Sequence, residues 1–101
     1  MAAKKIPLKE SDIRRQIQDF FKWRGWFVYY NLQGLGCYPG LSDLVATKNG
    51  KTIHLEVKKP NGKQSERQKI FQGNIERAGG IYEVARSLED AQRIDQFYGS
   101  N

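Results

Sequence analysis

The dipeptide Asn49-Gly50 constrains this chain more than any other feature. It separates two strand-like runs, Leu41 to Thr47 and Thr52 to Lys58. Both central residues of a type I′ turn need positive φ, which Asn and Gly tolerate best. The spacing predicts a tight hairpin with Lys48 opposite Lys51. Counting outward, Leu44 meets Leu55 and Asp43 meets Glu56. The alternation agrees with that register. Leu44, Ala46, Ile53, Leu55 and Val57 share one face, which is therefore core. Asp43, Val45 and Thr47 share the other with Thr52, His54, Glu56 and Lys58.

Directly opposed side chains in an antiparallel pair have Cβ atoms ~4.5–5.5 Å apart, and like charges there repel. Asp43 and Glu56 therefore call for a cation. A divalent ion such as Mg²⁺ fits, because it favours carboxylate oxygens and keeps waters for other partners. The Val57 carbonyl can serve as a further hard ligand. Lys58 lies two residues beyond Glu56 on the same face, so its amine reaches the same spot. Such a trio can cut phosphodiesters. The metal acidifies a water and neutralises charge on the phosphate, while Lys58 orients or deprotonates the water or stabilises charge. The competing reading is plain surface ion pairing, Glu56 with Lys58 or Lys59 and Asp43 with a nearby Lys, which contributes little.

At 101 residues the chain has the size of one domain. The net charge is +6, unevenly spread. Residues 1–77 carry 15 Lys and Arg against 7 Asp and Glu, whereas residues 78–101 carry 2 against 4. A basic body suits a polyanionic partner, since Lys and Arg neutralise phosphates and release counterions. A solvated basic surface is the plainer alternative. The single Cys37 excludes an internal disulfide and a multi-cysteine zinc site. With no apolar run of membrane-spanning length and no signal-peptide core, the expectation is a soluble, cytoplasmic protein with no membrane partner and no organic cofactor.

Along the chain, residues 1–8 read as a basic N-terminal arm with Lys4, Lys5 and Pro7, and 9–101 as the domain. A helix is predicted from Glu10–Ser11 to Trp23, with Ile13, Ile17, Phe20 and Phe21 inward and Arg14, Arg15, Gln18 and Lys22 outward. Trp26 to Asn31 reads as a strand, and Gln33 to Gly40, with three glycines and a proline, as a loop. After the hairpin, Pro60-Asn61-Gly62 breaks the chain. Ser65-Glu66-Arg67-Gln68 has the form of a capping box and opens a helix to Ala78. Ile81 to Ala85 is a strand, and Ser87 caps a last helix to Tyr98 with Leu88, Ala91, Ile94 and Phe97 facing the core. The order α-β-β-β-α-β-α makes the last two strands a parallel crossover unit. The fold class is α/β, a small mixed sheet flanked by helices.

Gly34, Pro39-Gly40-Leu41-Ser42-Asp43-Leu44, Gly50, Leu55-Glu56-Val57-Lys58, Gly62, Ser65 and Gln68 together resemble the VRR-NUC family of the PD-(D/E)XK nuclease superfamily, which has the restriction-endonuclease-like fold. The likeness runs from Glu10 to Ala85, and the length is similar to that of the stand-alone members found in bacteriophages. The resemblance implies a Mg²⁺- or Mn²⁺-dependent endonuclease built on Asp43, Glu56 and Lys58. It further implies that Gln68 points at the active site and that a first-helix glutamate, Glu10, reaches the metal region, with Asp12 as its rival. It implies a homodimer acting on branched DNA, a Holliday-junction resolvase.

Other readings attach to the remaining residues. Gln68 also fits as the partner of Ser65 in the cap, and Glu10 as a charge favoured by the helix dipole. Arg14, Arg15, Lys22, Lys59, Lys63, Ser65, Arg67 and Lys69 are candidates for DNA backbone contacts, which position without reading sequence. The lone His54 reads as a packing residue rather than a ligand. Tyr29, Tyr30, Trp26 and Tyr38 read as core or dimer aromatics ahead of base-stacking ones. Competing functions are a nuclease acting on flaps or other DNA ends, and a non-catalytic DNA-binding module.

Overall fold

The computed structural model describes residues 8–100. The basic arm expected over residues 1–8 therefore lies outside the described residues except for Leu8. Seven elements follow in chain order: α1 (Glu10–Trp23), β1 (Phe27–Tyr30), β2 (Leu44–Lys48), β3 (Lys51–Val57), α2 (Glu66–Arg77), β4 (Ile81–Ala85) and α3 (Leu88–Tyr98). They form a four-stranded sheet in the order β1-β2-β3-β4. The β1–β2 and β2–β3 pairs are antiparallel, whereas β3 and β4 run parallel across the α2 crossover. This is the mixed α/β architecture and element order that the sequence predicts.

The hairpin register is also the predicted one, from Lys48 opposite Lys51 to Leu44 opposite Leu55. Asn49 and Gly50 have φ of 53° and 79°, the left-handed pair that a type I′ turn requires. Helices α1 and α3 pack together on one face of the sheet. There Ile13, Ile17 and Phe21 join Ala91 and Ile94 over Leu44, Ala46, Ile53, Leu55 and Val57 to make the core. Helix α2 lies over the opposite face. Its only buried residue is Phe71, whose ring meets His54, Tyr82 and Tyr38 edge-on. His54 is thus a packing residue, and its buried Nδ1 has no hydrogen-bond partner among the described residues. Burial lowers its pKa.

The structure corrects the sequence reading in three places. First, β1 starts at Phe27 rather than Trp26. Trp26 is buried, and its indole N–H donates to Asp95 Oδ1 at 2.8 Å. Second, Phe97 is 75% exposed and does not face the core. The buried stripe of α3 runs Ala91, Ile94 and Asp95, and Tyr98 packs beside it. Asp95 takes an inward position because it also accepts from Arg24 Nε at 2.9 Å, so the helix is rotated away from the phase that Phe97 would need. Leu88, the other misplaced apolar residue, sits exposed at the helix start. Third, β2 begins at Leu44, not Leu41. The preceding segment is held by side chains instead, and that difference shapes the site.

Candidate active site

Where β2 begins, the hairpin ladder opens. The register would place the backbone of Ser42 against Val57. Instead the Val57 N–H donates 2.8 Å to Asp43 Oδ2, so a carboxylate stands where a strand carbonyl would. The chain before it is drawn toward β1. Asn31 N–H donates to the Asp43 carbonyl at 2.8 Å. The Asn31 amide donates to the Ser42 carbonyl at 2.9 Å, and the Gln33 amide donates to the carbonyls of Leu41 and Ser42. Asn31 and Gln33 therefore hold the segment that carries Asp43. Within a strand, the N–H and C=O of one residue point to the same neighbour. The Val57 carbonyl thus faces the same opening as its N–H.

Glu56 extends into this opening from β3 and is 1% exposed. Its Oε1 accepts from Gln68 Nε2 at 3.1 Å, and its Oε2 accepts from the Tyr82 hydroxyl at 3.2 Å. Burial raises its pKa to about 9, and the adjacent Asp43 carboxyl adds to the shift, while the Lys58 ammonium opposes it. The two acids and the lysine are therefore within electrostatic reach of one another. Burial, reinforced by Glu56, raises the Tyr82 phenol as well, so it stays protonated and donates.

Gln68 performs both roles that the sequence allows, and performs them together. Its Oε1 accepts from Ser65 N–H at 2.8 Å while Ser65 Oγ accepts from Gln68 N–H at 3.1 Å, a complete capping box. Its amide nitrogen is left to donate to Glu56. The first turn of α2 is thereby tied to the acidic pair, and the positive end of the helix faces it. Two variants separate the roles. Ser65→Ala is expected to lower stability by ~1 kcal/mol through loss of the cap. Gln68→Ala loses both the cap contact and the donor to buried Glu56, and should cost ~2 kcal/mol or more in thermal melts. Equal losses in the two would show that Gln68 acts only through the cap.

The remaining predicted residues divide. Glu10 heads α1 and is half-buried. Among the described residues no third His, Cys, Asp or Glu joins Asp43 and Glu56 in a group able to hold a metal, so the structure does not bring Glu10 to the pair. Its rival Asp12 accepts from Lys9 N–H as part of the α1 cap. Arg14, expected to face outward, instead lies 3.7 Å from Asp43 Oδ1. Ser65, Arg67 and Lys69 lie on the cap and first turn of α2, with Lys69 paired to Glu66 at 3.4 Å. Lys59 and Lys63 are exposed on the connection leading there. Lys22 sits in the last turn of α1, ~12 Å along the helix from Arg14 at 1.5 Å per residue, and is not gathered with the others. Sequence reasoning missed Tyr82 and Gln64, whose amide donates to the Tyr82 hydroxyl at 3.3 Å. The available signal was the parallel crossover, which places Tyr82 beside His54 and on the face of Glu56.

The donor set is oxygen only: the carboxylates of Asp43 and Glu56, close enough to interact directly, and a backbone carbonyl. That composition suits Mg²⁺ or Mn²⁺ rather than zinc. Among the described residues no helix is long and apolar enough to cross a membrane.

No family model matches the sequence, and no curated protein matches it. A solved structure described as a VRR_NUC domain has the same fold, with a TM-score of 0.76, 22% identity, and coverage of 88% of this chain and 96% of that one. The likeness fixes the fold of this chain as that of a VRR_NUC domain.

Proposed function

We propose that this chain is a VRR-NUC-type, metal-dependent endonuclease that hydrolyses phosphodiester bonds in DNA, acting on branched substrates as a homodimer. The observation that carries the reading is the buried Asp43–Glu56 pair at the mouth of an opened hairpin, with Lys58 beside it. Two carboxylates in low dielectric repel unless one is protonated or a cation lies between them. Asp43, Glu56 and the Val57 carbonyl would hold Mg²⁺ or Mn²⁺. When bound, the ion supplies an acidic water and neutralises charge on the phosphate.

The chain's own residues do the rest. Gln68 and Tyr82 fix both oxygens of Glu56, which sets its rotamer before substrate arrives. Lys58, whose charge reaches Glu56, can orient the attacking water or stabilise the phosphate oxygens. Arg67, Lys59 and Lys63 contact the DNA backbone around the α2 end, and Ser65 offers its exposed cap to the same strand. The proposed chemistry does not depend on Glu10.

A dimer suits junction resolution, since two symmetric cuts need two sites and two-fold closure is the commonest assembly. The exposed aromatics Phe27 and Tyr29 on the edge strand and Tyr38 are available to an interface.

The test is a cleavage assay on four-way junctions, flaps and linear duplexes, with and without Mg²⁺, using the wild type beside Lys58→Ala. Cutting of junctions that requires Mg²⁺ and falls ~10³-fold or more in the variant is expected. Equal cutting of linear duplex removes the junction preference. Unchanged junction binding without any cutting leaves the DNA-binding module.

A further inference from the structure

Beside Asp43, on the α1 side of the sheet, lies a cleft of about 210 Å³ lined by Ser11, Arg14, Arg15, Gln18 and Tyr30. We infer that this cleft binds a backbone phosphate of the DNA strand held at the Asp43–Glu56 pair, one that flanks the bond to be cut. The assignment rests on the reading of the chain as a DNA-acting protein.

Three observations carry it. Every lining side chain can donate a hydrogen bond: two guanidinium groups, two hydroxyls and an amide, with no carboxylate among them. Their spacing follows from the fold. Ser11, Arg14, Arg15 and Gln18 fall three and four apart on one side of α1. Tyr30 ends β1 opposite Leu44, and therefore projects from the α1 face of the sheet. Finally, the donors are free. Among the described residues, the side chains of Ser11, Arg15, Gln18 and Tyr30 have no hydrogen-bond or ion-pair partner, and Arg14 has only Asp43. The Arg14 guanidinium spans cleft and site, so an anion in the cleft sits one side chain away from the acidic pair. Arg is suited to this position because its planar fork meets two phosphate oxygens at once.

A chain with these features should track the strand along α1, giving contacts that set position without reading bases. Tyr30 and Ser11 then add neutral donors to the same phosphate.

The experiment measures binding of a labelled four-way junction by fluorescence anisotropy in EDTA, so that no cutting intervenes. The proteins are wild type, Arg15→Gln and Tyr30→Phe. Arg15→Gln is expected to weaken binding about tenfold at low salt and to reduce the slope of log K against log [salt] by ~0.9. Tyr30→Phe should weaken binding about threefold with the slope unchanged. Junctions carrying single methylphosphonate substitutions near the cut site complete the test. At one position the Arg15→Gln penalty should disappear, because the charge it meets is gone. An unchanged slope, a penalty equal on every singly neutralised junction, or no junction binding by the wild type would overturn the cleft. Cleavage with Mg²⁺ is scored separately. If the penalties appear and the wild type never cuts, the cleft stands and the nuclease reading falls.

Discussion

Replacing Glu56 with glutamine is expected to lower Mg²⁺-dependent cleavage by ~10³-fold or more and, at the same time, to raise the melting temperature of the metal-free protein. The two effects share one cause. In the folded chain the Glu56 pKa is raised from 4.5 to about 9, first by burial and then by Asp43. The folded state therefore holds a proton that the unfolded state releases. Its stabilising contribution is complete below about pH 4.5 and is lost as pH rises through about 9. At pH 8 the metal-free wild type is already weakened, and the glutamine, neutral at every pH, is not. Its amide can donate to Asp43 as the protonated acid does. Added Mg²⁺ reverses the ranking. At a hundredfold excess over Kd a bound ion adds ~2.7 kcal/mol, or ~4–8 °C per kcal/mol for a domain of this size. The wild type should gain that stability while the variant gains none. Thermal melts at pH 5 and pH 8, with and without Mg²⁺, check all four values. Identical melting of both proteins under all four conditions would remove the metal site from the argument.

The second large effect is expected from Gly40→Ala. Gly40 has φ of +76°, and a methyl group there would lie 2.1 Å from the Arg67 carbonyl oxygen and 2.9 Å from Gln68 N. All of these atoms are backbone, so no side-chain rotation relieves the clash. Either the loop carrying Ser42 and Asp43 moves, or the first turn of α2 carrying Gln68 moves. Both break the relation between the two halves of the site. Left-handed strain and overpacking together should cost ~3 kcal/mol or more, which lowers the melting temperature by ~12 °C or more. Turnover should fall by at least tenfold even at temperatures where the variant is folded. Gly50→Ala is the control, because Gly50 shares the positive φ but has nothing within 4 Å of the added methyl. It should lose ~1 kcal/mol and keep its activity. If Gly40→Ala behaves like Gly50→Ala, the loop is not braced against α2.

These two positions also mark what the sequence made legible. The nearness of Asp43 and Glu56 followed from Asn49-Gly50 and from strict alternation, both local signals, although the ladder opens at Leu44 before the two would pair directly. So did the capping box at Ser65, because its partners are three residues apart. The contacts that were missed join elements distant in sequence. Tyr82 reaches Glu56 across 26 residues, Asp95 reaches Trp26 across 69, and Arg14 reaches Asp43 from α1. Each depends on how helices seat against the sheet, which no window of sequence encodes. The misplaced Phe97 has the same origin. Apolar periodicity assigned it inward, but a buried aspartate paired with an indole set the phase of α3. The reason for Pro39-Gly40 was equally hidden, since Gly40 meets α2 only after the crossover has formed.

The separation of the turn at Asn49-Gly50 from the opened end of the same hairpin has a practical consequence. At 3.3–3.4 Å per residue, the six positions from Asp43 to Lys48 hold the tip ~20 Å from the acidic pair. A fluorophore, an affinity tag or a short peptide grafted at the tip would leave the reacting groups undisturbed, while the intervening strands transmit any splaying of the far end as a change in its orientation. The hairpin thus offers a built-in handle for watching the acidic end respond to an added ion or polyanion without touching it.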